Sequence, residues 1–228
     1  MTYDWQAGLA FLVLVVALTK IGKLLVFKVP ALEQERLKNR TLDKPKLALD
    51  KYLPVVRSTQ QVGLYSNLLF FFGYAPFFLT LSAQPWWRAP LDIVVILMVY
   101  DFFYYCMHRF LFHGQGYFRR VHAVHHQARN PTYIDAHYVH PLETFMGLNL
   151  FLLLIPALSL ALGQFHAVTL AVCYVIYTNI NQVNHCKIEL PYSPFKTLTW
   201  ISAKHAIHHE NMHKGNYATI TLFYDKIF

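Results

Sequence analysis

Five stretches of the chain read as long apolar runs, at roughly residues 7–27, 62–83, 91–111, 142–162 and 165–184. Each approaches the roughly 20 residues that a helix needs to cross a hydrocarbon core. The last two runs adjoin, and a single helix over both would overshoot a bilayer. Gly163 and Gln164 offer a break, so the pattern predicts a helical hairpin there. The polar positions between the runs set the orientation. Residues 28–61 carry Lys28, Arg36, Lys38, Arg40, Lys44, Lys46, Lys51 and Arg57, whereas residues 84–90 carry one arginine and the pair Trp86 and Trp87. Loops rich in Lys and Arg stay on the cytoplasmic side, and tryptophans favour the interface. The third run then returns to the cytoplasm near His108, the hairpin dips out and comes back near His185, and residues 186–228 are cytoplasmic. The expected fold is an all-α integral membrane protein of about four to five transmembrane helices capped by a cytoplasmic histidine-rich helical domain. Residues 1–90 form the N-terminal membrane helices and a basic loop, and residues 91–228 form the histidine-bearing domain.

Composition narrows the class. Charged residues make up 14% of the 228, against about 25% in soluble domains. The formal charge of +8 does not indicate nucleic acid, because the basic residues sit between apolar runs rather than on one soluble face. Cys106, Cys173 and Cys186 form no CxxC pair, which excludes a disulfide framework and a thiolate metal site and suits a reducing compartment. The segment before the first run has no basic residue and carries Asp4, so that run is expected to be a retained helix rather than a cleaved leader.

The histidines carry the chemistry. All 13 lie between positions 108 and 213. All but His166, at the hairpin tip, fall at or just beyond predicted cytoplasmic helix ends. Three clusters stand out: HRFLFH, with His108 and His113; HAVHH, with His122, His125 and His126; and HAIHH, with His205, His208 and His209. On a helix, positions i, i+3 and i+4 share one face, so each HxxHH presents three imidazoles along one stripe. His108 and His113 are about 140° apart on a regular helix and share a metal only if the helix ends or bulges between them. Neutral imidazole is a borderline nitrogen donor suited to Fe, Zn, Cu or Ni, and eight clustered rings suit two metals better than one closed site. His185, at the end of the fifth run, is a ninth expected ligand. His137 and His140 fit a role as ligands, partners of ligands or loop supports. His213 and His166 are read as surface or structural residues. Asp101 lies seven residues before His108 inside an apolar run and is placed to accept a hydrogen bond from a ligand imidazole.

HRFLFH, HAVHH and HAIHH, in that order and separated by helices, resemble the fatty acid hydroxylase and sterol desaturase superfamily of integral-membrane di-iron oxygenases. DFFYYCMHR, HPLE, NHCKIELP, GNY and YDKIF extend the resemblance over roughly residues 90–228; the first ninety residues are similar only in being membrane-helical. The resemblance implies a four-helix membrane core under a cytoplasmic domain holding two iron ions (Fe2+/Fe3+). It also implies O2 as co-substrate and insertion of OH into a lipid, or removal of two hydrogens from it. It assigns metal ligation to His108, His113, His122, His125, His126, His205, His208 and His209. Where fatty acid 2-hydroxylases carry HxxxH, this chain has Asn181 and His185.

The expected activity is therefore O2-dependent hydroxylation or desaturation of a fatty acyl chain or sterol. No flavin or nicotinamide signature is present, so a separate donor is implied, cytochrome b5 or a ferredoxin with its reductase. The expected location is a bacterial inner membrane or the endoplasmic reticulum. The competing class is a membrane metal-binding protein that is no oxygenase: a transporter, a sensor or a haem cytochrome. A transporter needs polar ligands at mid-helix depth, and a multi-helix haem protein needs paired mid-helix histidines. Clusters gathered at one face fit neither.

Overall fold

The computed structural model describes residues 1–228. It is all-helical apart from two dipeptide strands. α1 spans Trp5–Val26, α2 Pro30–Leu47 and α3 Tyr52–Leu68, the last continuing through a π-helical segment, Leu69–Tyr74, into α4, Ala75–Phe78. α5, Arg88–Cys106, runs on into a second π segment, Met107–Phe112. α6 is Tyr117–His122, α7 Pro141–Leu162, α8 Ala167–His185, α9 Lys196–Glu210 and α10 Phe223–Ile227.

α1, α3–α4, α5, α7 and α8 form one bundle. Its core holds Phe11, Phe70, Ile96, Phe151, Ile155 and Leu170, all with no exposed surface, and Phe151 stacks on Tyr177 at 4.1 Å. Around it, Leu9, Val13, Leu24, Val94, Leu153 and Leu160 are exposed, as expected of faces that meet lipid. In that solvent the hydrophobic effect gives little drive, and helices associate by close packing of small residues. Ala7 and Gly8 of α1 and Ala167 and Ala171 of α8 are accordingly buried. A Cβ on Gly8 would stand 2.7 Å from Pro76 Cγ, so α1 lies against α4 only with glycine there.

Three helices are long and apolar enough to cross a membrane: Trp5–Val26, Arg88–Phe112 and Pro141–Leu162. The predicted runs at 62–83 and 165–184 are helical over residues 62–78 and 167–184, but the helix bearing the first begins at Tyr52 and includes Arg57, Gln60 and Gln61, and α8 carries Asn179, Asn181, Gln182 and Asn184. The predicted hairpin is present. α7 ends at Gly163, whose φ of +86° favours glycine, and α8 begins at Ala167. The far end of the bundle is tied by a parallel pairing of Leu79–Thr80 with Phe165–His166. Gln164 reinforces it by donating to the carbonyls of Phe77 and Leu79.

α2, α6, α9, α10 and the loops 123–140 and 211–222 cover the other end of the bundle. Asp135, wholly buried, holds this cover to the start of α3. It accepts from Lys46 Nζ, from the Tyr52 hydroxyl and, at 2.7 Å, from the Thr132 amide. Tyr52 also stacks on Tyr138 at 4.1 Å. Lys46 is 23% exposed, so the loss of Asp135 leaves chiefly the Tyr52 hydroxyl and the Thr132 amide unpaired. Asp135→Ala is expected to lower unfolding free energy by about 3 kcal/mol, whereas alanine at the exposed Asp50 leaves it unchanged. Denaturant titration in detergent measures both.

Candidate metal centre

The nine histidines expected as ligands converge at the junction of the bundle and its cover, in two groups. His108, His113, His122, His126 and His208 form the first; His125, His185, His205 and His209 form the second. Within each group the donor nitrogens lie within 4.8 Å of one another. All nine rings are buried except His113, which is half-buried.

Local structure explains how each ring arrives. Of the two ways for His108 and His113 to meet, a helix end or a bulge, the structure has the bulge: the π segment Met107–Phe112, in which the His113 amide donates to the His108 carbonyl at 2.9 Å. The wider π turn turns a five-residue spacing into neighbours, and the two Nε2 atoms come within 3.2 Å. HAIHH lies on regular α9 as predicted. HAVHH does not sit on one regular helix: α6 ends at His122, and His125–Gln127 form a 3-10 turn. Both motifs nonetheless divide alike. The i, i+4 pair His122 and His126 joins the first group and His125 the second; the pair His205 and His209 joins the second group and His208 the first. A stripe of three rings thus splits between two sites: on regular α9 the i+3 ring stands about 60° from the i ring and about 100° from the i+4 ring, and in HAVHH the helix breaks after His122.

Six rings have their Nδ1 committed to a fixed acceptor. His108 donates to the Tyr217 carbonyl at 2.8 Å, His125 to Tyr138 at 3.1 Å, His185 to Asn181 at 2.7 Å and His208 to Lys214 at 2.9 Å. His205 donates to Asn216 Oδ1 at 2.8 Å and His122 to Glu143 Oε1 at 2.7 Å. An imidazole whose Nδ1 holds the proton keeps a bare lone pair on Nε2 as long as it is neutral. Burial favours the neutral form: it pushes His125 down to about 4, His113 to about 3 and His126 to about 2, and holds His122 and His205 well below the ordinary imidazole value.

The consequence is a set of facing lone pairs. The Nε2 atoms of His108 and His122 are 3.1 Å apart, those of His125 and His185 3.0 Å, and those of His185 and His205 3.0 Å. For His125 and His185, whose Nδ1 atoms both face backbone carbonyls, no proton is available to bridge the pair, and lone pairs held that close repel unless positive charge lies among them. Two nitrogens sharing one ion at ~2.1 Å and a right angle stand ~3.0 Å apart. The buried His208 Nε2 has no partner at all. The donor set, its tautomers and its spacing therefore fit two nitrogen-ligated metal ions.

Two carboxylates set the segment on which two of these rings, His108 and His205, hang. Asp225 accepts from the amides of Asn216, Tyr217 and Ala218 at 2.7–2.9 Å. Asp101 accepts from the amides of Thr219, Ile220 and Thr221 at 2.8–3.0 Å, and from the Thr221 hydroxyl. Six consecutive N–H groups are held this way, in the stretch that supplies the acceptors for His108 and His205. The restraint also keeps Asn216 at a φ of +104°, sparsely populated for a residue with a side chain. The expectation for Asp101 is corrected here: its oxygens are saturated by backbone amides, and it reaches His108 only through this segment. Asp225 and Glu143 were not singled out as site residues from sequence, although both lie in stretches, YDKIF and HPLE, that carry the resemblance. A carboxylate's partner is fixed by where distant backbone passes, which no local spacing reveals.

The other histidines lie apart. His140 and His166 cap α7 and α8, their Nδ1 atoms accepting from Leu142 and Val168. His213 is exposed. His137 lines a cavity of about 400 Å³ that opens onto His108, His122, His125, His185 and His205 and extends between α3, α5, α7 and α8.

The family model for fatty acid hydroxylases matches residues 93–228. A putative methylsterol monooxygenase of Dictyostelium discoideum is 31% identical over 182 residues, covering 74% of this chain and 62% of that protein. Methylsterol monooxygenase 1 of Gallus gallus is 28% identical over 180 residues, covering 77% and 55%. A very-long-chain aldehyde decarbonylase of Oryza sativa subsp. indica is 29% identical over 153 residues, covering 65% and 55%. The chain thus spans little more than half the length of these relatives. No solved structure matches. The family match takes in more than half of the chain and all nine converging histidines, and the chain belongs to the fatty acid hydroxylase and sterol desaturase superfamily.

Proposed function

We propose that the protein is a di-iron oxygenase that hydroxylates or desaturates a lipid, taking O2 as co-substrate and electrons from a separate protein. The observation that carries the metal part is the convergence of nine imidazoles into two groups whose Nε2 atoms face one another at about 3 Å, with no proton between His125 and His185. On this reading His108, His113, His122, His126 and His208 hold one ion, and His125, His185, His205 and His209 hold the other. When bound, two irons supply reductive activation of O2 and cleavage of an unactivated C–H bond. The lipid part is supported by a cavity that runs from the histidines into a membrane-type bundle, and by the names of the relatives.

The chain's own residues do the rest. The carbonyls of Tyr217, Tyr138, Asn181 and Lys214 fix tautomer and ring direction, so the donor atoms are oriented before any ion arrives. Glu143 accepts from His122 and raises its basicity. α3, α5, α7 and α8 wall the cavity and hold a substrate carbon next to the rings, with bulk water kept out. Electrons arrive from outside, from a cytochrome b5 or a ferredoxin with its reductase. Arg119, Arg120, Arg129, Lys187, Lys196 and Lys204 belong to the cover, where positive charge steers an acidic donor and equally satisfies the positive-inside bias. In this reading the bundle crosses the membrane four or five times, with α3–α4 and α8 spanning beside the three apolar helices. The cover then faces the cytoplasm of a bacterium or of a cell with endoplasmic reticulum.

Protein purified gently in detergent is expected to contain close to two irons per chain and no Soret band, by elemental analysis with an absorption spectrum; a haem band or a single ion overturns the reading. His125→Ala is expected to abolish turnover and remove iron, whereas His166→Ala keeps both. Asp225→Ala, which releases three amides of the segment behind His108 and His205, is expected to weaken iron binding about 10–100-fold. Asp225→Glu should recover part of that loss in a chelator-competition titration. Equal binding by the two variants would remove Asp225 from the account.

A further inference from the structure

The cavity presents a mainly apolar surface interrupted by polar side chains away from the histidines. The face that α8 turns toward it carries Tyr174, Thr178, Asn181 and Gln182 ahead of His185, at the three- and four-residue intervals that keep side chains on one face. Opposite, α3 presents Gln60 and Asn67 with Gly63 between them, where even a Cβ would meet nothing within 4 Å. Polar side chains inside a membrane bundle are costly, and where they face a cavity they mark what passes through it or binds in it.

The polar lining has a defined far end. The Tyr174 hydroxyl donates to Asn67 Oδ1 at 2.8 Å. That bond joins α3 to α8, fixes the amide plane and leaves the Asn67 NH2 as a donor without a protein acceptor. Tyr174 lies eleven residues before His185 on α8, about 16 Å along the helix axis. A guest in this cavity therefore meets imidazoles at one end and an oriented amide donor well away from them. A saturated chain would strip water from that amide and return nothing. A site built to hydrogen-bond an oxygen rejects the analogue that lacks it.

We propose that the cavity selects a long lipid bearing an oxygen acceptor (hydroxyl, ether or carbonyl) remote from the carbon held at the histidines, with Asn67 as the residue that recognises this oxygen and Tyr174 as the residue that aims Asn67. The inference rests on the oxygenase reading only for what happens at the histidine end; the recognition itself is a binding property.

The test is therefore a binding measurement on metal-loaded protein in detergent, with hexadecanol and hexadecane as probes and the thermal unfolding midpoint as readout. Hexadecanol is expected to raise the midpoint in a saturable way and hexadecane to leave it in place. Asn67→Leu is expected to weaken hexadecanol binding about tenfold, as for one lost hydrogen bond, while iron content stays that of the parent. Tyr174→Phe, which keeps the packing and frees the amide, is expected to weaken it by a smaller factor. If Asn67→Leu does not fold, the comparison of the two probes on the parent and on Tyr174→Phe decides. Equal shifts by alcohol and alkane, no shift with either, or unchanged hexadecanol binding in both variants overturns the proposal. Iron content measured on the same samples keeps the two readings separate: intact iron with no preference for the alcohol sinks this inference alone, and absent iron sinks the oxygenase reading.

Discussion

Neutral imidazoles packed with their lone pairs face to face are the constraint on which the rest of this molecule turns. Each fixed Nδ1–H removes the one proton that would relieve a neighbour, and burial disfavours the protonated ring that would supply another. The arrangement is unfavourable for the polypeptide alone. It becomes favourable when cations fill the two groups, so on the proposed reading metal binding and the packing of the cover against the bundle are one coupled equilibrium.

Local devices serve that convergence. The π segment at Met107–Phe112 gives α5 the wider turn that brings His113 beside His108. The irregular passage through His122–Gln127 sends His125 one way and His126 the other. Asp101, planted in a membrane-type helix, and Asp225, near the chain's end, grip adjacent halves of one six-residue stretch. Hydrogen bonds from backbone amides to carboxylates are strong in a low-dielectric setting, and here they place the acceptors for a ring in each group. A buried carboxylate in α5 therefore acts on the histidines by shaping backbone rather than by touching a ring.

The bundle supplies a wall and a slot. Its packing rests on small residues and aromatic rings rather than on exclusion of water, and its outward faces remain apolar. Of the polar residues that lower the apolarity of α3 and α8, Gln60, Asn67, Thr178, Asn181 and Gln182 line the cavity, whereas Arg57 and Gln61 are exposed and Asn184 bonds the Thr219 carbonyl.

The sequence by itself determined the helical class, the hairpin at Gly163, and the nine converging histidines. These are legible because apolar run length and i, i+3, i+4 spacing act within one helix, and His185 is legible because the end of its run marks a membrane face. The need for the helix to end or bulge between His108 and His113 was also readable, since five residues do not return to one side of a regular helix; which of the two occurs was not. Only the tertiary structure decided which histidine joins which group, because the split of each HxxHH depends on what stands opposite. It alone gave Glu143 and Asp225 their partners and moved Asp101 from an imidazole to three backbone amides, since those partners lie 21, 9 and 118 positions away at first contact. The cavity was likewise hidden. Its lining comes from four helices, and a side chain's exposure to an internal slot is a property of the assembled bundle and not of any one segment.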